Sequence, residues 1–222
     1  SYCTGLIGYL GEEGEVRELS IEKSYIQGYY ETGAIVGRNR GKIINCTNES
    51  KVVGDYYLTG GIAGRINATK RNSLADMEKG WQTAGIVANA SGNSEYQVQI
   101  NNSYNSGYIH GIGRVGGIIN FGSYYKITNS YNVGKLESEN KVGNGGIVTS
   151  INEDSNNVLS NNYWLDTCGA TYGIYSISSN EGAESKTENE LKGLASILSD
   201  EYIDDVTNIN NGYPILKWQL EK

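Results

Sequence analysis

The sequence has 222 residues, enough for one large domain or one solenoid with a cap. Its net charge of −7 excludes the basic surface by which proteins hold nucleic acid. No apolar run approaches the roughly 18 residues that cross a membrane, so we expect no membrane insertion of this segment. Three scattered cysteines, Cys3, Cys46 and Cys168, fit neither a disulfide scaffold nor a metal site. We therefore expect no metal and no cofactor.

The composition favours many short strands joined by tight turns. Thirty Gly residues supply backbone freedom at turns, and 18 Tyr residues favour strands. The chain opens at Ser1-Tyr2-Cys3-Thr4-Gly5, which reads like the middle of a repeat. We therefore expect a segment of a longer protein, with the other domains of that parent chain as partners.

Two sequence markers recur along the chain at one period. The first is a Gly-rich apolar tetrad, spaced by 24 to 32 residues: Gly5-Leu6-Ile7-Gly8, Ala34-Ile35-Val36-Gly37, Gly61-Ile62-Ala63-Gly64, Gly85-Ile86-Val87-Ala88, Gly117-Ile118-Ile119-Asn120 and Gly146-Ile147-Val148-Thr149. The second is Asn before a small or polar residue, spaced by 27 to 32 residues: Asn45-Cys46, Asn72-Ser73, Asn102-Ser103, Asn129-Ser130 and Asn161-Asn162. Two markers that drift together indicate five to six structural repeats.

Each repeat fits one turn of a parallel β-helix. A unit of about 28 residues holds three short strand patterns, and no helical stripe of useful length appears before Thr187. We predict an all-β, right-handed parallel β-helix solenoid of about five to six coils over residues 1–168. Stacked coils, about 4.8 Å apart, would place Asn45, Asn72, Asn102 and Asn129 in a ladder of side-chain hydrogen bonds.

The tetrads and the Asn markers resemble GLUG-motif repeats, named for a Gly-Leu-any-Gly core. Gly33–Cys46 and Ile127–Gly134 carry the resemblance best, which covers about residues 5–168. Such repeats occur in large bacterial surface proteins, including the non-catalytic repeat regions of immunoglobulin A1 metallopeptidases. The resemblance implies a parallel β-helix on an extracellular, cell-surface protein. It implies no particular ligand and supplies no catalytic residues.

A different pattern closes the chain. Thr187 and Glu190 form a capping-box pair, and Leu191, Leu194, Ala195 and Leu198 lie on one face of a predicted short helix within 187–200. A stacked β-structure needs its end strands covered. We predict that residues 169–222 form a C-terminal cap packed on the end of the solenoid.

The sequence gives little support to an enzyme. Some parallel β-helices degrade acidic polysaccharides, and their chemistry needs clustered carboxylates. The aligned rows do not collect acids: one holds Tyr30, Tyr57, Trp81, Gly113 and Val142, and the next holds Glu31, Leu58, Gln82, Arg114 and Gly143. The single histidine, His110, has no aligned Ser or Cys partner. We predict no catalytic residues, with a polysaccharide-degrading enzyme as the second alternative.

Two aligned rows are candidates for ligand binding. Tyr30, Tyr57 and Trp81 could form an aromatic platform for a sugar chain or a protein, or could shield a corner of the core. Arg38 and Arg65 follow successive tetrads and could bind an anionic glycan or form surface ion pairs. A further row of Tyr104, Tyr131 and Tyr163 is placed on another face.

We therefore interpret the chain as a non-catalytic module of a bacterial cell-surface or secreted protein that serves adhesion or ligand display. Its expected partner is a host glycan or an extracellular matrix protein. The alternative is a passive spacer that holds other domains away from the cell wall.

Overall fold

A computed structural model describes residues 2–11, 13–17, 19–40, 42–44, 47–66, 77–78, 82–95 and 97–220. These residues form an all-β protein with few helical turns, as predicted. The helices lie near the C-terminus: α1 (Glu188–Lys192), α2 (Ala195–Leu198) and a 3₁₀ helix (Lys217–Leu220).

The strands are short, as the many turn residues predict. Those of the first half are β1 (Cys3–Thr4), β2 (Ile7–Leu10), β3 (Glu15–Arg17), β4 (Ser20–Gly28), β5 (Glu31–Gly33), β6 (Val36–Asn39), β7 (Lys42–Ile44), β8 (Thr47–Gly54), β9 (Leu58–Gly60), β10 (Ala63–Ile66), β11 (Met77–Glu78), β12 (Gln82–Ala84), β13 (Val87–Ser91) and β14 (Val98–Asn101). Those of the second half are β15 (Tyr104–Asn105), β16 (Ile109–Gly111), β17 (Arg114–Gly116), β18 (Ile119–Ser123), β19 (Tyr125–Thr128), β20 (Tyr131–Asn132), β21 (Leu136–Ser138), β22 (Asn144–Ile151), β23 (Val158–Ser160), β24 (Asn162–Leu165), β25 (Tyr172–Ile174), β26 (Ala183–Lys186), β27 (Tyr202–Ile203) and β28 (Ile215–Leu216).

Parallel sheets dominate the architecture. The largest is curled and has the strand order β1-β5-β9-β12-β17-β22-β18-β13-β10-β6-β2, with β25 also paired to β22. Smaller parallel sheets have the orders β21-β16-β11-β8-β4, β14-β19-β23, β15-β20-β24-β26 and β3-β7, whereas β27 and β28 pair antiparallel. Successive repeats therefore send their strands to the same sheets.

The strand register follows the sequence repeat. In the largest sheet Thr32 lies beside Thr59, and Thr59 lies beside Thr83. The paired residues are thus separated by the same intervals as the tetrads. Equivalent positions of neighbouring repeats consequently lie one strand spacing apart, about 4.8 Å.

The apolar tetrads build the core. Their central residues are buried in repeat after repeat: Ile35 and Val36, Ile62 and Ala63, Ile86 and Val87, Ile118 and Ile119, Ile147 and Val148. The chain bends immediately before them, where glycine is required by close backbone contact. A Cβ on Gly60 would lie 2.0 Å from the carbonyl oxygen of Ala63, and one on Gly116 would lie 1.9 Å from that of Ile119.

An asparagine ladder is present, as predicted for Asn102 and Asn129, and it continues to Asn161. Asn161 Nδ2 donates to Asn129 Oδ1 at 2.9 Å, and Asn129 Nδ2 donates to Asn102 Oδ1 at 3.3 Å. All three have positive φ, between 47° and 54°, in the left-handed region that asparagine tolerates better than most residues. The other two predicted members, Asn45 and Asn72, lie outside the described residues.

The C-terminal segment packs across β15, β20 and β24. The stacked rings of Tyr104 and Tyr131, 5.1 Å apart, form a second apolar cluster with side chains that include Leu191, Leu194 and Tyr202. The Tyr row therefore lies on another face, as predicted, and its first two members are fully buried there. Hydrogen bonds reinforce the contact, among them one of 3.1 Å from the Tyr202 hydroxyl to the carbonyl oxygen of Asn129.

The predicted helical region forms two short helices instead of one. The capping box of Thr187 and Glu190 begins α1, as predicted, and Gly193 ends it. Leu191, Leu194, Ala195 and Leu198 are all buried, which confirms the predicted apolar face. The division of the chain at residues 168 and 169 stays a prediction. In the described ranges, no helix is both long enough and apolar enough to cross a membrane.

Candidate ligand-binding surface

Tyrosines precede three neighbouring strands of the largest sheet. Tyr2 comes before β1, Tyr30 before β5 and Tyr57 before β9. The register of these strands aligns Cys3, Glu31 and Leu58, so the preceding tyrosines form a row across the repeats. Tyr29 and Tyr56 stand beside this row. The sequence signal for an aromatic row is thus confirmed for Tyr30 and Tyr57, whereas Trp81 lies outside the described residues.

The five rings contact one another. Tyr2 stacks on Tyr30 with ring centroids 4.9 Å apart, and Tyr29 stacks on Tyr56 at 5.2 Å with an interplanar angle of 8°. Tyr30 also meets Tyr57 edge-on at 6.4 Å. We call this group (Tyr2, Tyr29, Tyr30, Tyr56 and Tyr57) the aromatic surface.

The aromatic surface is open to solvent. Tyr29, Tyr56 and Tyr57 are 49%, 43% and 42% exposed, and Tyr2 is 76% exposed. Rings that shielded the core would be largely buried, so the exposure favours an accessible face over a protective one. Tyr30 is the most covered of the five, and burial, followed by the neighbouring tyrosines, raises its pKa above the ordinary value.

A groove of about 640 Å³ adjoins the aromatic surface. Its described lining residues are Tyr56, Tyr57, Gln82, Gly113, Arg114, Val142 and Tyr175. The strand register places Gly113 in the row of Tyr30 and Tyr57, because Arg114 pairs with Gln82 and Gln82 pairs with Leu58. Since glycine lacks a side chain, the row of aromatic side chains has a gap at Gly113, and this gap forms part of the groove.

Tyr175 forms one wall of the groove by lying against a glycine. Gly143 has φ +93°, and a Cβ on it would lie 1.9 Å from Cζ of Tyr175. The ring therefore rests directly on the backbone between β21 and β22. Backbone hydrogen bonds fix this position, because the N–H of Tyr175 donates to the carbonyl oxygen of Val148 at 3.1 Å.

Arg114 supplies the charge in the groove. It begins strand β17, and its Nη1 donates a hydrogen bond of 2.6 Å to Oγ of Ser150. Its carbonyl oxygen accepts a 2.5 Å bond from Nδ2 of Asn120, which holds the backbone from inside. The sequence analysis did not name this residue as a candidate for binding. The available signal was the pair Gly113-Arg114 at the point where the aromatic row stops.

The predicted row of Arg38 and Arg65 differs from the groove in its charged neighbours. Arg38 donates from Nε and Nη2 to the two carboxylate oxygens of Glu31, at 2.6 and 2.7 Å, and Glu31 is only 6% exposed. This hydrogen bonding is the main cause that raises the pKa of Arg38. Arg65 pairs with Arg38 through the backbone register, but its side chain lies outside the described part of the chain. Arg38 therefore forms an ion pair, which was the predicted alternative to binding an anionic glycan.

Two ionisable side chains outside the groove, His110 and Glu137, have local partners. His110 Nε2 lies 3.6 Å from a carboxylate oxygen of Glu139, and the imidazole stacks on Tyr108. Glu137 accepts from Lys135 and from Tyr108, which lowers its pKa. In the described ranges, no three His, Cys, Asp or Glu side chains are grouped so as to hold a metal ion.

Comparison with known proteins identifies the fold. No protein-family model matches the chain, and no curated protein matches it. Among solved structures, the chain is similar to the crystal structure of "a putative immunoglobulin A1 protease from Bacteroides ovatus". The TM-score is 0.73, the identity is 21%, and the alignment covers 97% of this chain and 72% of that one. The name of that protein fits the resemblance seen in the repeats, while the GLUG motif itself stays a prediction. At this identity the likeness shows that the two chains share a fold.

Proposed function

We propose that this chain is a non-catalytic binding module of a larger surface or secreted protein, and that its aromatic surface holds a carbohydrate chain. The observation that carries the proposal is the group of five contacting tyrosine rings, four of which are more than 40% exposed. Exposed rings of this size cost solvation energy, and contiguous exposed aromatic patches mark binding sites.

A carbohydrate suits this surface chemically. The faces of tyrosine rings carry negative quadrupole potential, which attracts the weakly positive C–H groups on the flat side of a sugar ring. The phenol groups can donate and accept hydrogen bonds with sugar hydroxyls. Tyr29 and Tyr56 stack on each other, so a sugar chain that runs along the repeat direction would contact their outer ring faces, ring edges and hydroxyl groups.

The fold proposed with this function is a closed, right-handed parallel β-helix over residues 1–168, with residues 169–222 as its cap. Paired strands that lie one repeat apart, together with a continuous apolar core, support the winding. Crossovers between parallel strands of one sheet are right-handed in nearly all proteins, which supports the handedness. Such a rod would expose the aromatic surface along one side.

The placement on a larger surface protein rests on two observations. The sequence markers resemble repeat regions of bacterial surface proteins. The similar Bacteroides ovatus structure carries the name of "a putative immunoglobulin A1 protease", which supports the same placement. An extracellular, cell-surface location and an extracellular matrix protein or host glycan as partner belong to the same proposal.

Binding of this chain to an array of glycans and matrix proteins tests the function. The informative variant is the double substitution Tyr29→Ala and Tyr56→Ala, which removes the stacked pair. A matched control replaces Tyr9 and Tyr25, which are 51% and 60% exposed but lie outside the aromatic surface. Circular dichroism and the unfolding midpoint establish that both variants fold.

The outcomes separate the candidate functions. Loss of binding in the first variant alone supports ligand display by the aromatic surface. Absence of binding by the native chain contradicts it and favours the passive spacer. Shortened saccharides, detected by mass spectrometry after incubation, would contradict the non-catalytic part and favour a polysaccharide-degrading enzyme.

A further inference from the structure

The groove beside the aromatic surface has a positive charge in an acidic protein. Of the described residues that line it, Arg114 is the charged one, while the others are Tyr56, Tyr57, Gln82, Gly113, Val142 and Tyr175. The protein as a whole carries a net charge of −7. The groove therefore carries a local positive charge, whereas the protein as a whole repels anions.

Arg114 differs from Arg38 in its partner. Arg38 forms a two-point ion pair with the buried carboxylate of Glu31. The guanidinium of Arg114 instead donates to the uncharged hydroxyl of Ser150, and within the described residues it has no carboxylate partner. Its charge is therefore not neutralised by those residues, whereas that of Arg38 is.

The contact with Ser150 also orients the guanidinium. Both residues lie in the largest sheet, on β17 and β22, which pair with each other. One corner of the planar group is held at 2.6 Å, so a ligand that binds the remaining N–H groups has less side-chain freedom to remove. A guanidinium fork matches the two oxygens of a carboxylate or a sulfate.

We infer that the groove is a subsite for one anionic sugar unit, bearing a carboxylate or a sulfate group, of the saccharide whose neutral units stack on the aromatic surface. The inference rests on the proposed function. Tyr56 and Tyr57 belong to both the aromatic surface and the groove, so one oligosaccharide can occupy both. Arg114 binds the anionic group, and the ring of Tyr175, which lines the same groove, limits the size of the unit.

The charge balance limits how acidic the ligand can be. A single guanidinium neutralises one anionic group, while the net charge of −7 repels a chain that is anionic at every unit. A sparsely charged saccharide, with neutral units beside an acidic one, gains the local attraction without the general repulsion. A polyanion such as nucleic acid does not.

The test compares oligosaccharides that differ only in the acidic group. The probes are an array-selected oligosaccharide with one hexuronate, its carboxyl-reduced neutral counterpart, and the same neutral chain with one sulfate ester. Affinities are measured for the native protein, Arg114→Gln and Arg114→Lys. The control is Lys217→Gln, which removes the same charge from an exposed position that does not line the groove.

The native protein is expected to prefer an acidic probe over the neutral one by about tenfold, as expected for one charge-assisted contact. Arg114→Gln should remove this preference and keep the binding of the neutral probe, Arg114→Lys should keep part of it, and Lys217→Gln should keep all of it. The preference should weaken as salt concentration rises. The ranking of the hexuronate and sulfate probes identifies the anionic group.

Three results would overturn the inference, and the third would also contradict the proposed function. Equal binding of neutral and acidic probes by the native protein, or an unchanged preference in Arg114→Gln, contradicts the subsite and leaves the aromatic surface as a carbohydrate site. Failure of the native protein to bind any saccharide on the array contradicts the proposed function itself.

Discussion

The rings of Tyr29 and Tyr56 lie 5.2 Å apart and are almost parallel, inclined by 8°. The two residues come from successive repeats, and the parallel register of β5 and β9 brings them together. A sequence repeat thus creates a stack of rings that neither repeat has alone. The aromatic surface continues into the groove at Tyr56 and Tyr57, where Arg114 adds a charge.

Asp205 should make the C-terminal segment sensitive to acid. Its carboxylate accepts from the N–H groups of Ile209, Asn210 and Gly212 at 2.9, 2.6 and 3.0 Å. Burial raises the pKa of Asp205, but these bonds outweigh burial and the pKa lies below its ordinary value. The pKa of Asp205 in the unfolded state, about 3.9, is therefore higher than its pKa in the folded state. The carboxylate stabilises the fold at pH values above the unfolded-state pKa, and this stabilisation is lost as the pH falls through the folded-state pKa.

Asp205→Asn should consequently lower the free energy of unfolding at pH 7 by about 1–3 kcal/mol. The difference from the native protein should shrink as the pH falls below about 4. Urea unfolding at several pH values measures it, with Asp204→Asn as the exposed control. A difference that stays constant down to pH 2 would contradict this role.

Thr59→Val should leave the stability unchanged or raise it by about 1 kcal/mol. Thr59 is fully buried, and its hydroxyl has no hydrogen-bond partner in the described structure. Valine has nearly the same shape without a polar group to desolvate. Thr128→Val is the contrasting variant, since the Thr128 hydroxyl donates to Asn101 Oδ1 at 2.7 Å and its removal should destabilise. Chemical unfolding of both variants gives the sign, and a clear loss in Thr59→Val would show that its hydroxyl is bonded.

Two substitutions of Asn129 should separate backbone strain from the side-chain ladder. Asn129→Gly keeps the left-handed conformation and loses the bonds with Asn102 and Asn161, at a cost of about 1 kcal/mol. Asn129→Ala loses the same bonds and keeps a Cβ at positive φ without the polar side chain that makes asparagine tolerant of this region, so its cost should be larger, about 2 kcal/mol. The unfolding free energies of the two variants test this order; equal losses would mean that the backbone conformation adds nothing.

Cys168 should resist thiol reagents in the native protein. It is 1% exposed, and burial raises the pKa of its thiol to about 11. Little thiolate is therefore present at pH 8, and reagents cannot reach it without local unfolding. Cys3, which is partly exposed, should be labelled first. Peptide mapping of alkylated protein by mass spectrometry distinguishes the two, and rapid labelling of Cys168 would contradict its burial.

The repeats predicted most of the architecture because each repeat places the same residue types at equivalent structural positions. Buried apolar pairs such as Ile35-Val36 recur with the tetrad, and Asn102 and Asn129 recur at the left-handed corner. The face that each row occupies depends on what packs over it. Tyr104 and Tyr131 resemble the exposed tyrosines in sequence, yet they are buried because the C-terminal segment lies across them.

The groove could not be predicted from the repeat pattern. Gly113 and Arg114 belong to one repeat and Val142 to the next, while Tyr175 comes from beyond the last tetrad. Their proximity depends on where the chain returns to the largest sheet through β25. Arg38 illustrates the converse: its position after a tetrad suggested ligand binding, but the carboxylate that pairs with it lies one strand earlier, at Glu31.

The most direct test of the carbohydrate proposal is a titration followed by two-dimensional nuclear magnetic resonance of the tyrosine rings. The titrant is the saccharide that binds best on the array. Ring signals of Tyr29, Tyr30, Tyr56 and Tyr57 are predicted to shift together with one dissociation constant, while those of Tyr9 and Tyr25 stay unchanged. Binding that shifts only tyrosines outside the aromatic surface would contradict the proposal.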